Sequence, residues 1–352
     1  MPPRAATGRA AKDIAQRLRP AFDRLRTFAK RANRLQLHAS VLDMSRRSAT
    51  PSIGRRTFVT LVAAAAAAPA MALGDPQGRI VTLKPLGRGD PYEPRVRVWL
   101  PPGYEDGALS YRSFYMLDGQ WVFAKDADGQ NFAADRRMAR LAAAGRIQPA
   151  LIVAIDSLEA PADRFRQYMP QTIYDQAEGG LREALDRELA GRPLLSTQFL
   201  RYLTTRLKPF VDTRFRTLAG RRDTAIAGAS MAGPMAAAAF VEGQQAFGRA
   251  ACISPQWPLY DKRMIDHPQL LSIWPRYFAR LGAPDGRRLW LDHGTRMMDA
   301  GMAPHQIRIA RRLATLGWER GRHLETRVYH GAGHAFAATA VQMDELIAWL
   351  LA

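Results

Sequence analysis

Runs of apolar residues alternate with amphipathic segments along the chain beyond residue 73. The runs predict strands at 79–83, 95–100, 113–117, 151–155, 224–227, 250–253, 288–292 and 325–329. Several of them are continuous, which is typical of strands buried on both faces of a parallel sheet. Apolar residues spaced three and four positions apart predict helices at 132–144, 198–211, 306–316 and 341–351. This alternation favours one α/β domain, 73–352, with a mostly parallel sheet flanked by helices.

Residues 157–197 interrupt this pattern with a polar stretch that contains Gly179-Gly180 and many charged residues. We expect it to form a long insertion or lid over one end of the sheet, where substrates approach. No internal repeat is visible, so a single catalytic domain is expected.

The first 72 residues have a different character. Arg55-Arg56 is followed by an alanine-rich apolar stretch to Ala68 and then by Pro69-Ala70-Met71-Ala72. A charged segment, a short apolar segment and an A-x-A site in this order resemble a twin-arginine export signal over 44–72, with cleavage near Ala72. The prediction is a periplasmic or secreted protein that uses the twin-arginine export machinery. The apolar stretch is too short for a stable membrane span.

Residues 1–43 are basic and amphipathic, which is unusual ahead of such a signal. A chain that begins at Met44 would have its arginine pair in the normal place. We therefore expect 1–43 to be a non-native N-terminal extension from a misassigned start. The alternative is a basic helix that binds a surface or a partner.

Composition and charge restrict the classes of function that the chain can have. The chain has 352 residues, of which 47% are hydrophobic, so it can build a sizeable core. Its net charge is +19, but residues 1–72 hold 14 of the 51 basic and 3 of the 32 acidic residues, a net of +11. The remaining +8 shows no basic stripe interleaved with aromatics, and no nucleic-acid partner is predicted. The single Cys252 allows no internal disulfide and no cysteine zinc site. No histidine pattern suggests a metal, and no cofactor is predicted.

The sequence GASMAG at 228–233 carries the strongest chemical signal. It lies between the strand at 224–227 and a run of helix formers at 235–241. A serine on a sharp strand-to-helix turn among small residues is the arrangement of a nucleophile elbow, which predicts Ser230 as a nucleophile. Ala232 stands where the second elbow glycine is usual. The alternative is a serine that caps an ordinary helix.

A serine nucleophile needs a base and an acid, in the order Ser, Asp or Glu, His on this type of fold. His334 lies in a glycine-containing loop between the last strand and the last helix, which favours it as the base. His330 ends the strand and is expected to be structural. Asp299, in the loop beyond a buried strand, is the preferred acid, and Asp292 at the end of that strand is the alternative.

Several motifs in order from about residue 78 to the C-terminus together resemble the putative esterase family of α/β-hydrolases. They are YMLDGQWVF at 115–123, RFRQYMP at 164–170, KPFV at 208–211, GASMAG, ISPQW at 253–257, DHGTRMMD at 292–299 and GAGH at 331–334. That family includes enterochelin esterase-like enzymes, feruloyl esterases, S-formylglutathione hydrolases and mycolyltransferases. The resemblance implies an α/β-hydrolase fold, Ser230 and His334 as nucleophile and base, and the amides of Gln120 and Met231 as oxyanion donors. Arg296 departs from it, because an acidic residue is expected after Gly-Thr.

The expected protein is therefore an exported serine esterase that forms an acyl-enzyme. Five residues are candidates to line the substrate cleft: Asp118, Trp121, Arg164, Tyr168 and Trp257. Each also has a structural explanation, as a turn-stabilising aspartate, a packed aromatic or an arginine paired with an acid. Two other functions remain open at this stage, an acyltransferase of the same fold and a non-catalytic binding protein on a hydrolase scaffold.

Overall fold

The computed structural model describes residues 78–86, 93–126, 129–259 and 267–352. All of these belong to one unit of the chain, Pro69–Ala352. The predicted signal segment 44–72 and the extension 1–43 lie outside the described residues. Within the described ranges, no helix is long and apolar enough to cross a membrane.

Eight strands form one sheet in the order β1-β2-β4-β3-β5-β6-β7-β8. They are β1 Arg79–Thr82, β2 Val96–Leu100, β3 Arg112–Leu117, β4 Ala150–Ile155, β5 Thr224–Ala229, β6 Arg249–Ile253, β7 Arg288–Gly294 and β8 Leu324–Tyr329. β1 with β2 and β2 with β4 are antiparallel, whereas all other neighbours are parallel. The prediction of a mostly parallel sheet is confirmed.

Ten α-helices accompany the strands in the described part of the chain. They are α1 Ala134–Ala143, α2 Pro161–Tyr168, α3 Gln171–Asp175, α4 Gly179–Leu189, α5 Ser196–Tyr202, α6 Lys208–Arg214, α7 Ala232–Glu242, α8 Pro268–Ala279, α9 Ala303–Ala314 and α10 Phe336–Leu351. A π-helical turn, Leu203–Leu207, joins α5 to α6. Short 3₁₀ turns lie at Gly119–Trp121, Arg221–Asp223 and Met297–Gly301.

The sheet separates two hydrophobic clusters. Alternate residues of β3 point to opposite faces, so that Phe114 packs in one cluster and Tyr115 in the other. α7 is buried on all sides from Ala232 to Val241. Its alanines explain this, because small side chains let a helix lie close to the sheet. Cys252 is buried in β6, and burial raises the pKa of its thiol.

The polar stretch 157–197 is largely helical, because α2, α3 and α4 lie within it. Each helix turns apolar side chains into the core, including Phe165, Ile173 and Leu181. The insertion is thus a packed part of the domain whose charged residues cover its outer face. Helix α4 was not predicted from the sequence, although Leu181, Ala184, Leu185 and Leu189 are spaced three and four positions apart, because the charged residues between them make the stretch polar overall.

Candidate active site

The predicted elbow is present between β5 and α7. Ser230 follows the last residue of β5 and has a φ of 57°, in the left-handed region. Its amide donates to the Ile253 carbonyl at 2.9 Å, and its own carbonyl accepts from the Gln256 amide at 2.9 Å. A non-glycine residue is rarely found in this conformation. These backbone bonds hold it there, which is the strained turn that an exposed nucleophile requires.

Close approach of β5 and α7 explains the small residues around Ser230. A Cβ atom placed on Gly228 would overlap the carbonyl group of Ala232, and one on Gly233 would lie 2.5 Å from Pro255 Cβ. Both positions therefore need glycine. Ala232 itself is fully buried, and its methyl group fits because Gly228 opposite has none. The departure from the usual elbow sequence is compatible with the elbow geometry.

His334 lies between Ser230 and Asp299. Its Nε2 is 2.7 Å from Ser230 Oγ, and its Nδ1 is 2.6 Å from Asp299 Oδ1. The His334 side chain is 19% exposed, whereas that of Asp299 is 1% exposed. The serine hydroxyl thus faces an imidazole, and no side-chain cap bond is made at the start of α7. The helix-cap alternative for Ser230 does not match this geometry.

The two candidate acids occupy different places. Asp299 Oδ2 accepts hydrogen bonds from Ser254 Oγ at 2.7 Å and from the Gly294 amide at 2.9 Å, while Oδ1 faces His334. Burial acts to raise the pKa of Asp299, but the hydrogen bonds from His334, Ser254 and Gly294 outweigh it, so the pKa lies below its ordinary value. A carboxylate held in this way stays ionised beside the imidazole.

Asp292 makes no contact with His334. Its Oδ1 accepts from the Ser254 amide and its Oδ2 from Trp290 Nε1, both at 2.7 Å. The side chain is fully buried, and this burial raises its pKa to about 7. Of the two aspartates considered from the sequence, Asp299 is the one that the structure brings to the histidine.

The turn after β3 carries Gln120, the predicted oxyanion donor. The Gln120 side chain pairs with Ser157, donating from Nε2 to Oγ at 2.7 Å and accepting from the Ser157 amide at 3.0 Å. Arg97 donates to the Gly119 carbonyl at 2.6 Å. Across the described residues, the amides of Gln120 and Met231 donate to no protein acceptor. The Gln120 turn is therefore fixed from several directions, while neither of these two amides has a protein acceptor in the described structure.

Asp118 and Arg164 are paired with each other. The Arg164 guanidinium donates to both Asp118 carboxylate oxygens, at 2.8 and 2.5 Å, and it also lies over the Trp121 and Tyr168 rings. The amide of Asp118, whose φ is 57°, donates to the Tyr168 hydroxyl at 3.1 Å. Tyr168 is fully buried. These contacts link α2 of the insertion to the start of the Gln120 turn.

A cavity of about 250 Å³ opens beside Ser230. Its polar wall contains the Asp118–Arg164 pair, Ser254 and His334. Its apolar wall is aromatic, because Phe336 packs edge-on against Trp121 and Phe132 with ring centroids 5.5 and 5.3 Å apart. Asp118, Trp121 and Arg164 lie along this cavity, whereas the fully buried Tyr168 is not among the residues that line it.

Trp257 lies elsewhere. It is fully buried in the hydrophobic core, where its ring packs against Trp274 at 4.8 Å and Phe278 at 5.8 Å, and it does not line the cavity. The structure therefore gives it a packing position, which was its structural alternative. Arg296 is exposed, and an aspartate, Asp299, stands three residues after it.

Ser254 was not singled out from the sequence, although it lay within a quoted motif. It is 3% exposed, lines the cavity and bonds to both Asp292 and Asp299. The one available signal was its place directly after β6, between the strands that carry Ser230 and Asp299. No group of three or more histidine, cysteine or acidic side chains among the described residues is arranged to hold a metal ion.

Comparison with known proteins identifies the family of this chain. The model of the family described as "Putative esterase" matches residues 91–346, most of the chain. The chain belongs to the putative esterase family. This membership confirms the predicted activity class: the protein is a carboxylic-ester hydrolase of the serine hydrolase type. No curated protein matches the sequence.

Solved structures similar to this esterase share its fold. A ferulic acid esterase matches at 17% identity and a TM-score of 0.55, over 78% of this chain and 98% of its own. An IroE-like serine hydrolase from Shewanella oneidensis matches at 16% and 0.54, over 78% and 80%. An enterobactin esterase from Shigella flexneri matches at 16% and 0.51, over 77% of this chain and 59% of its own. Such low identities establish the α/β-hydrolase fold and nothing narrower.

Proposed function

We propose that this esterase hydrolyses carboxylic esters through Ser230 as nucleophile, His334 as base and Asp299 as the acid that orients it, with an acyl-enzyme intermediate. The observation that carries the proposal is the unbroken hydrogen-bonded chain from Ser230 Oγ through both imidazole nitrogens to Asp299. It starts on a strained elbow at the wall of a cavity. Nucleophile, base and orienting group within hydrogen-bond reach are the geometric requirement for nucleophilic catalysis.

Acylation begins when Ser230 Oγ bonds to the ester carbonyl carbon and its proton passes to His334 Nε2. The carbonyl electron pair moves onto the oxygen, which becomes an oxyanion. As this intermediate collapses, the bond to the alcohol oxygen breaks and His334 returns the proton to the leaving alcohol. Asp299 stabilises the imidazolium in between by accepting from Nδ1. Water then repeats the same steps on the acyl group and releases the acid.

The oxyanion would be bound by the amides of Gln120 and Met231. Both donate to no acceptor in the described part of the protein, and each sits on a turn whose neighbours are fixed by hydrogen bonds. Donors that are already in place need no reorganisation when charge develops, and each is typically worth about 10²- to 10³-fold in rate. The held turns therefore support their role as donors.

A fluorophosphonate probe tests the nucleophile directly, because it phosphonylates a serine only when that serine is activated. We expect one adduct per chain, on the peptide that contains Ser230, found by mass spectrometry of the digested protein. Ser230→Ala should take up no probe while its circular dichroism spectrum stays unchanged. An adduct on the Ser254 peptide, or none in folded protein, would contradict the assignment.

Export to the periplasm or the exterior is the second part of the proposal, and it rests on the arginine pair and the A-x-A site near Ala72. Replacing Arg55 and Arg56 by lysine should keep the protein in the cytoplasm of a bacterial host that has the twin-arginine pathway. The chain offers a matched control in Arg46 and Arg47, whose replacement by lysine should leave export unchanged. Fractionation and the mass of the mature N-terminus measure the outcome, and equal export of both variants would refute the assignment.

A further inference from the structure

Ser254 has an unusual position and an unusual backbone. It directly follows β6, is 3% exposed and has a φ of 40°, in the left-handed region. A non-glycine residue in that region is costly and persists only where the surroundings hold it. Backbone strain of this kind is common at functional sites. The hydrogen bonds that hold Ser254 in this conformation therefore indicate what it does.

The hydroxyl of Ser254 fixes one face of Asp299. It donates to Oδ2 at 2.7 Å, and the Gly294 amide donates to the same oxygen at 2.9 Å. The other oxygen, Oδ1, is thereby left to face His334 Nδ1. A rotation of the carboxylate would break both bonds to Oδ2, so Ser254 limits the orientations that the acid can adopt.

Asp292 fixes Ser254 in turn. Its buried carboxylate accepts the Ser254 amide at 2.7 Å through one oxygen and Trp290 Nε1 at 2.7 Å through the other. Trp290 and Asp292 both belong to β7, the strand next to β6. A carboxylate buried in the core is costly unless its hydrogen bonds are made. This pair of bonds therefore ties the strained residue after β6 to its neighbouring strand.

We propose that Ser254, anchored by Asp292, is a positioning residue for Asp299. The inference rests on the proposed function, because it assigns a purpose to bonds that meet the acid of the proposed triad. Ser254 does not exchange a proton with substrate. Its hydroxyl keeps the carboxylate aligned with the imidazole, so its removal slows acylation without weakening substrate binding. Loss of a group that orients a functional side chain commonly lowers activity by about 10- to 100-fold.

The test is a double-mutant cycle between Ser254 and Asp299, read as steady-state kcat and KM with p-nitrophenyl acetate. Ser254→Ala should lower kcat about 10-fold and change KM less than twofold. In an Asp299→Asn background the same substitution should cost less than twofold, because the group that it positions is no longer a carboxylate. An equal loss in both backgrounds, or a rise in KM with kcat unchanged, would overturn the proposal.

Two further variants separate positioning from effects on folding. Ser254→Gly removes the same hydroxyl but suits the left-handed backbone, so it should lose kcat as Ser254→Ala does while its unfolding midpoint lies above that of Ser254→Ala. Ser113→Ala is the matched control, a fully buried serine in β3 whose hydroxyl has no hydrogen-bond partner in the described structure. It should keep wild-type kcat. If Ser230→Ala remains active, the proposed function fails; if that variant is dead and Ser254→Ala has full activity, only this inference fails.

Discussion

Ser230→Ala and His334→Ala are each expected to lower kcat for p-nitrophenyl acetate by roughly 10⁵- to 10⁶-fold, and the double variant should be no worse than either single one. The reason is that the two side chains act as one unit. Without the imidazole the hydroxyl keeps its proton, and without the hydroxyl the imidazole has nothing to activate. The residual rate above water would come from binding and from the amides of Gln120 and Met231.

His330→Ala provides the control for the histidine. His330 is exposed, lies four residues before His334 in the same stretch of chain and was the competing base in the sequence. Its variant should keep kcat within about twofold, which matches the small effect usual for exposed positions. Strong loss of activity in His330→Ala, with His334→Ala still active, would reverse the two roles and contradict the proposed mechanism.

Asp299→Asn is expected to lower kcat by roughly 10⁴-fold, because an amide next to Nδ1 favours the wrong imidazole tautomer and cannot stabilise the imidazolium. KM should change little, since Asp299 is 1% exposed and does not line the cavity. The measurement is steady-state kinetics with purified protein, together with an unfolding curve to show that the variant is folded.

Asp292→Asn distinguishes the two carboxylates. Both aspartates are buried and both bond to Ser254, so the substitutions are closely matched in chemistry. Asp292 does not touch the histidine, and its loss should reach catalysis only through Ser254, with a decrease in kcat near 10-fold. If Asp292→Asn costs as much as Asp299→Asn, the assignment of the acid is wrong.

The strands could be predicted because each is marked by a run of apolar residues, and all eight lie within a residue or two of their predicted bounds. Helix α8 and the three helices of the insertion were not predicted. In α2 the apolar residues are too sparse for a helical period to stand out, and α8 carries Pro275 in its interior, which argues against a helix in any local pattern. Their stability comes from packing against the core.

The candidate site was also predictable only in part. Ser230 and His334 could be found because the order of motifs along the chain identifies the loops at the ends of parallel strands. The pairing of Asp118 with Arg164 could not be predicted, because the two residues are 46 positions apart and meet only through the placement of α2. The one signal for Ser254 was its place directly after β6, and its bonds to Asp292 and Asp299 depend on how closely β6 and β7 lie together.

The start of α10 connects His334 to aromatic residues that lie more than 200 positions earlier in the chain. Phe336, the first residue of α10, lies two residues after His334 and packs on Trp121 and Phe132, which lie in and after the Gln120 turn. During synthesis, the strands β1 to β7 and the rings of Trp121 and Phe132 are translated before His334 and Phe336. Until α10 docks, Ser230 lacks its histidine partner and the aromatic wall lacks Phe336, so the nascent chain would be inert towards esters.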